Sequence, residues 1–227
     1  MTTCQVALIH TSPSMIPVFK PLAAELLPPG VRTFNVVDES LLCDIIASGT
    51  CPPATARRLA NHVVSAADAG AAVILVTCSS MGPAVEAARA LTVSKVVRAD
   101  EAMAERAIDA GSRVGIVATL PSTLAPTESL VRATAASRGK PVEITAQVIP
   151  GAFDAVMSGD VEKHDRLVGD AVRQLARSHD VILLAQASMA RAVHAIPAEE
   201  VAVSVLASPR LAMERVADLV RQHCATL

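Results

Sequence analysis

The segment Val76-Thr77-Cys78-Ser79-Ser80-Met81-Gly82 places one cysteine between an apolar run and two serines. A thiolate there could remove a proton from a carbon or attack one, while hydroxyl and N–H groups beside it could hold the oxygens of a carboxylate. A near copy, Leu184-Ala185-Gln186-Ala187-Ser188-Met189-Ala190, has glutamine where the cysteine stands. An amide does not titrate near neutral pH, so it can donate a hydrogen bond but cannot exchange a proton as a thiol does. Two further segments carry similar small polar groups, His10-Thr11-Ser12-Pro13-Ser14 and Thr119-Leu120-Pro121-Ser122-Thr123. The candidate catalytic residues are Cys78, Gln186 and His10. The candidate substrate-binding residues are Ser12, Ser14, Ser79, Ser80, Thr119, Ser122, Ala187 and Ser188.

Each of these also has a plainer reading. A lone intracellular cysteine is commonly a small buried hydrophobe, but Cys78 stands at a strand end before a helix, whose N-terminus is expected to lower its pKa. His10 suits a hydrogen-bonded core histidine as well as an acid–base role. The serines and threonines suit N-caps, a geometry that also binds anions. Cys4, Cys43, Cys51 and Cys224 lack a comparable setting and read as structural or incidental.

The elements that must position these residues are visible as short β-branched runs alternating with alanine-rich helical stretches. Strands are expected at 6–10, 33–37, 72–77, 94–98, 113–119, 142–149, 180–185 and 201–206. Near-continuous apolar runs of this kind fit strands buried on both faces of a parallel sheet. Helices are expected over 52–70, with proline in the first turn and glycine past the end, and over 158–178. The fold class is α/β.

The chain repeats itself. Val73–Val85 aligns with Val181–Val193 and Val6–Ser14 with Val114–Ser122, both at an offset of 108 residues. Shared strand vocabulary would not hold one register over such a distance, so two similar βα lobes are expected. Residues 1–111 form the first, with the C-terminal stretch 208–227 packing back on it, and 112–207 the second. Ligands of open parallel sheets bind beyond the carboxyl ends of the strands. The four polar segments are expected there, with Cys78 and Gln186 on opposite sides of one cleft.

Composition narrows the partners. With 52% hydrophobic and 19% charged residues, the 227-residue chain has ample material for a core. A net charge of −2, no basic block, three Phe and neither Tyr nor Trp argue against nucleic acid. The start reads as no signal peptide, and the longest apolar run falls short of the roughly 18 residues of a membrane span. Five cysteines without a C-x-x-C pair argue against a disulfide framework or a zinc site, so reduced thiols in a cytoplasmic protein are expected. No G-x-G-x-x-G follows a strand, which leaves a nucleotide-binding reading weak.

The strand–Cys–small–small–helix phrase, its second copy about a hundred residues on, and the threonine-bearing loop in Val114–Thr123 together resemble the aspartate/glutamate/hydantoin racemase superfamily, over essentially the whole chain. The resemblance implies two pseudo-symmetric Rossmann-like lobes with the active site between them, and cofactor-free proton transfer next to a carboxyl or carbonyl group. Maleate isomerases and arylmalonate decarboxylases belong to the same superfamily. Its racemases hold two cysteines on opposite faces of the substrate; Cys78 matches the first, and Gln186 departs from the second. Cys78 would then act from one face, or add to an alkene as in maleate isomerases, or share the work with His10. The expectation is a metal-free, coenzyme-free isomerase acting on a small carboxylate and assembling with copies of itself. A single-cysteine decarboxylase of the same fold and a non-catalytic carboxylate-binding protein are the alternatives.

Overall fold

A computed structural model describes residues 4–194, 196–197 and 200–224. Two compact units are formed, Met1–Ala99 with Pro209–Leu227 and Asp100–Ser208. Of the C-terminal stretch expected to return to the first unit, residues 225–227 lie outside the described residues. Each unit is built on a four-stranded, wholly parallel sheet.

In the first unit the strands are β1 (Gln5–His10), β2 (Arg32–Val37), β3 (Ala71–Val76) and β4 (Lys95–Arg98), in the order β2-β1-β3-β4. In the second, β5 (Arg113–Ala118), β6 (Glu143–Val148), β7 (Val181–Leu184) and β8 (Ser204–Ala207) follow the corresponding order, β6-β5-β7-β8. The fold is the α/β class with two like lobes that the sequence implies. β8 begins three residues later than its apolar run. β2 and β6 are edge strands whose residues are a mixture of exposed and half-buried, unlike the doubly covered strands expected. A neighbour on one side only leaves their outer flank open.

The helices of the first unit are α1 (Ile16–Leu26), α2 (Glu39–Ser48), α3 (Pro53–Asp68) and α4 (Gly82–Ala88); α10 (Ser208–Cys224) has all but its first residue there. The second unit holds α5 (Glu101–Ala110), α6 (Pro121–Ser137), α7 (Ala152–Met157), α8 (Val161–Ala176) and α9 (Ala190–His194). The chain thus changes units at Ala99, ahead of α5 rather than near Gly111, because α5 lies against α6, β7 and β8.

α3 and α8 begin and end at equivalent positions, at the offset of 108. α3 starts at a proline, buries Leu59, Val63 and Ala66 on one stripe, and is followed by Gly70 in the left-handed region at φ 91°. α8 is capped by Asp160, whose carboxylate accepts the Lys163 N–H, and buries Val168, Val172 and Leu175. Such stripes close over Ile9, Ile74 and Val76 in one unit and over Val117, Ile182 and Leu184 in the other. Full burial of each large side chain contributes roughly 1.5–3 kcal/mol.

Cys43, Cys51 and Cys78 are free thiols, whereas Cys4, just before β1, is disulfide-bonded. The expectation of reduced thiols throughout is corrected there; sequence spacing alone did not indicate the bond. Among the described residues, no helix is long and apolar enough to cross a membrane.

Asp180, at the entry to β7, ties the second sheet together. Its carboxylate accepts the backbone N–H groups of Ser112 and Arg113 at 3.1 and 2.9 Å, and the Arg113 guanidinium at 2.6 and 3.1 Å. Arg113 above all holds its pKa down, to about 2. The ionised form is the one the fold favours, so its contribution is complete above the ordinary carboxylate range near 3.9 and is lost as the pH falls through about 2. Gly111 has extended backbone, yet an added Cβ would overlap Asp180 Cβ and come within 2.8 Å of Oδ2. Gly111→Ala is therefore expected to cost about 1–3 kcal/mol in urea unfolding. A native-like midpoint would show that this junction has room to move.

Candidate active site

The strand order creates one special position in each sheet. From β1 the chain moves to β2 on one side and then returns to β3 on the other, so the connections after β1 and β3 leave in opposite directions. Ligand sites of open α/β sheets form at such a divide, beyond the strands' carboxyl ends. In the first unit those ends carry His10-Thr11-Ser12 and Thr77-Cys78-Ser79. In the second, the β5 and β7 ends carry Thr119 and Gln186.

Cys78 sits in extended conformation ahead of a short 3-10 turn, Ser79–Met81, closed by Met81 N–H donating to Cys78 C=O at 3.1 Å. The residue as a whole is half-buried, while its sulfur lies inward and meets four polar groups: the Thr11 hydroxyl, the Ser80 hydroxyl, and the N–H groups of Ser80 and Met81. All four lower the thiol pKa. Burial, the largest influence, raises it and prevails. The lowered pKa expected from the helix start is therefore corrected: the following helix has only seven residues, and loss of water outweighs its donors. Cys51, before α3, is a second free thiol, packed with Cys78 on the same apolar cluster. Burial and the neighbouring Cys78 push its pKa up.

His10 is fully buried, and both ring nitrogens are engaged. Nδ1 lies 2.9 Å from Thr77 Oγ1 and Nε2 2.9 Å from Asn35 Oδ1. A neutral ring protonated on Nε2 donates to Asn35, while Nδ1 shares the single Thr77 hydroxyl proton with Ile9 C=O, which that hydroxyl reaches at 3.1 Å. Burial lowers its pKa, consistent with that neutral state. Direct proton transfer by His10 would break one of these bonds. Ser12 caps the short turn Pro13–Met15, accepting the Ser14 N–H at 3.3 Å, and the two hydroxyls pair at 2.8 Å. Ser79 and Ser80 are buried beside Cys78.

The second unit repeats the backbone and changes the chemistry. Gln186 is also extended ahead of a 3-10 turn, Ala187–Met189, closed by Met189 N–H to Gln186 C=O at 3.0 Å. Its Oε1 accepts the Thr119 N–H, which leaves the amide nitrogen as the side chain's remaining polar group. Thr119 corresponds to Thr11 at the offset of 108. Its hydroxyl is buried without a partner, where Thr11 has a sulfur to bond. Ser122 lies buried in the first turn of α6, and Ala187 and Ser188 are half-buried.

Several participants were not among the sequence candidates. Thr11 was noted only as part of its loop; its counterpart Thr119 was the available signal. Asn35, Thr77 and Cys51 carry no motif. Arg98, buried at the end of β4, lies outside the four polar segments. His164, fully buried in α8, pairs through Nδ1 with Asp165 at 2.8 Å, and Asp165 also holds Arg191 of α9 at 2.8 and 3.0 Å. That pairing ties the helix after the Gln186 turn to α8. Among the described residues, no group of three or more His, Cys, Asp or Glu could hold a metal ion.

The family model described as Asp/Glu/Hydantoin racemase matches residues 7–216. A search of curated proteins gives no match. Solved structures with a similar fold include allantoin racemase from Klebsiella pneumoniae, at TM-score 0.68 and 19% identity over 96% of this chain and 88% of that one. Picrophilus torridus aspartate racemase reaches TM-score 0.72 at 14% identity, covering 96% and 94%. Glutamate racemase from Francisella tularensis subsp. tularensis SCHU S4, in complex with D-glutamate, reaches 0.71 at 13% identity, covering 99% and 83%.

Thr11→Val keeps the side-chain volume and removes one donor from the Cys78 sulfur. Such a bond contributes about 1 kcal/mol, so the thiolate fraction below the pKa is expected to fall on the order of fivefold. Alkylation of Cys78 followed peptide by peptide against pH measures it. An unshifted profile would remove Thr11 from the thiol's surroundings.

Proposed function

The chain belongs to the Asp/Glu/Hydantoin racemase family, and from that premise we propose an isomerase of the racemase type that works at a carbon next to a carboxylate of a small acid, through the single thiol of Cys78 and without a coenzyme. The observation that carries this reading is the Cys78 sulfur at the strand-order divide, with the Thr11 and Ser80 hydroxyls and two backbone N–H groups directed at it.

In this reading the Cys78 thiolate takes a proton from the substrate carbon, and the electron pair moves onto the adjacent carboxylate as an enediolate. Hydroxyl and N–H donors of the first unit hold that charge: Ser79, Ser80 and the backbone near Ser12. Preorganised donors of this type typically contribute several kcal/mol to transition-state stabilisation. In the second unit the Gln186 oxygen is occupied by the Thr119 N–H, so the side chain has only its amide nitrogen left to donate. His10 supports the strand ends, with both ring nitrogens in use.

One thiol makes the chemistry one-sided. A saturated acid that loses and regains its proton through Cys78 on the same face shows exchange with retention, a diagnostic of the proton transfer and not itself an isomerisation. An unsaturated acid accepts the sulfur at one alkene carbon, rotates about the resulting single bond and expels the sulfur again, giving cis–trans isomerisation. Both leave atoms balanced without an external oxidant or reductant.

A panel of amino acids, hydantoins, maleate and substituted malonates, incubated in D2O and read by NMR and chiral separation, tests the reading. Deuterium at the substrate carbon with retained configuration, or cis–trans conversion, is expected. Cys78→Ala should lower the active rate at least about a hundredfold; a variant keeping most of the activity would sink the thiol mechanism. Because burial raises the thiol pKa, the thiolate is scarce at neutral pH. The rate is expected to climb with pH past the ordinary thiol range rather than level off within it.

A further inference from the structure

Arg98 is the last residue of β4 and pairs in register with Val76, two residues before Cys78. The side chain is buried, at 6% exposure. Its guanidinium covers Gly82, the first residue of α4: a Cβ there would overlap Nη2 and Cζ and come within 2.9 Å of Nε. Gly82 has ordinary right-handed helical backbone, so glycine is required for space and not for conformation. The same guanidinium lies 3.6 Å from Glu86, one turn further along α4. Just past that helix, Arg89 donates through Nε to Val96 C=O of β4 at 3.0 Å, and through Nη1 to Glu86 at 2.7 Å.

The second unit provides an internal comparison. Leu184 of β7 matches Val76, and its register partner on β8 is Ala207, so Ala207 occupies the Arg98 position. Ala190 occupies the Gly82 position at the offset of 108. The unit that carries a thiol has the Gly–Arg pair, and the unit that carries glutamine has Ala–Ala.

We propose that Arg98 is the positioning residue of the Cys78 turn: the planar guanidinium, seated on Gly82 and drawn to Glu86, fixes α4 and hence the Ser79–Met81 turn whose N–H groups address the sulfur. This rests on Cys78 being the working thiol. A guanidinium suits the task because it is flat and weakly hydrated. A lysine ammonium would carry the charge as a compact, strongly hydrated point and leave the face of Gly82 uncovered.

The test is the pH profile of Cys78 alkylation by iodoacetamide, resolved by peptide mass spectrometry in the full chain, with exposed Cys43 as an internal control. Arg98→Lys keeps the charge and removes the plane; Gly82→Ala keeps Arg98 and removes its seat. Both are expected to slow Cys78 alkylation at pH 8 at least about fivefold and to move its inflection upward, because loosened donors leave burial less opposed. Cys43 should react at the native rate. A merely structural role would lower thermal stability and leave the Cys78 profile in place. Profiles within about twofold of native, in either folded variant, overturn the proposal.

Should either variant fail to fold, Glu86→Gln at a half-exposed position removes one anchor of the guanidinium, and a slowing of about twofold is expected. No change there also overturns it. Activity retained by Cys78→Ala would instead refute the functional reading, while the alkylation profiles would still report on Arg98.

Discussion

In a parallel sheet, a strand whose neighbours are reached by connections leaving in opposite directions has a notch at its carboxyl end, where backbone groups and the next residues face outward. β1 and β3 form that arrangement in the first unit, and β5 and β7 in the second. Thr77 N–H donates to Ile9 C=O, and Ala185 N–H to Val117 C=O, so the strand ends are fixed up to the residue before Cys78 and Gln186. The core residues Ile9, Ile74 and Val76, or Val117, Ile182 and Leu184, hold those pairs in place. Everything chemical is carried by side chains that begin where this apolar pairing ends.

At Cys78 two opposing effects meet. Neutral hydrogen bonds to the sulfur each contribute about 1 kcal/mol, and four groups address it, but burial removes more solvation from the thiolate than they restore. The resting group is then a thiol. Under the proposed mechanism this is a workable poise, because a thiolate of raised pKa is a stronger base toward a carbon acid. The cost is a small thiolate fraction at neutral pH, which makes the geometry of the donors around the sulfur decisive.

Much of this was legible in the residues. The offset of 108 foretold two lobes, and it holds down to the ends of α3 and α8. Strand-end logic located Cys78, Gln186 and Thr119 on the correct edges of their own sheets. What escaped is what only packing determines. Arg98 closes β4, a strand whose end carries none of the four polar segments. Cys51 is far from Cys78 in sequence and reaches the same apolar cluster through the α2–α3 connection. His10 carried two readings because sequence cannot show that Asn35 and Thr77 occupy both its nitrogens. The pKa direction of Cys78 escaped for the same reason: the donors follow from the motif, whereas burial depends on the assembled core.

The duplication also explains what the glutamine changed. Thr11 and Thr119 are equivalent residues, yet the first bonds through its hydroxyl to a sulfur and the second through its backbone N–H to an amide oxygen. The longer glutamine side chain turns back onto the strand end and takes the N–H, leaving the Thr119 hydroxyl buried without a partner. An unmade hydrogen bond at a buried hydroxyl costs roughly 1–3 kcal/mol, which a tightly packed unit tolerates where function gains from it or a ligand atom completes it. The orphan hydroxyl stands where its twin meets a thiol, so the second unit keeps the outline of the Cys78 turn around a side chain that hydrogen-bonds but does not titrate.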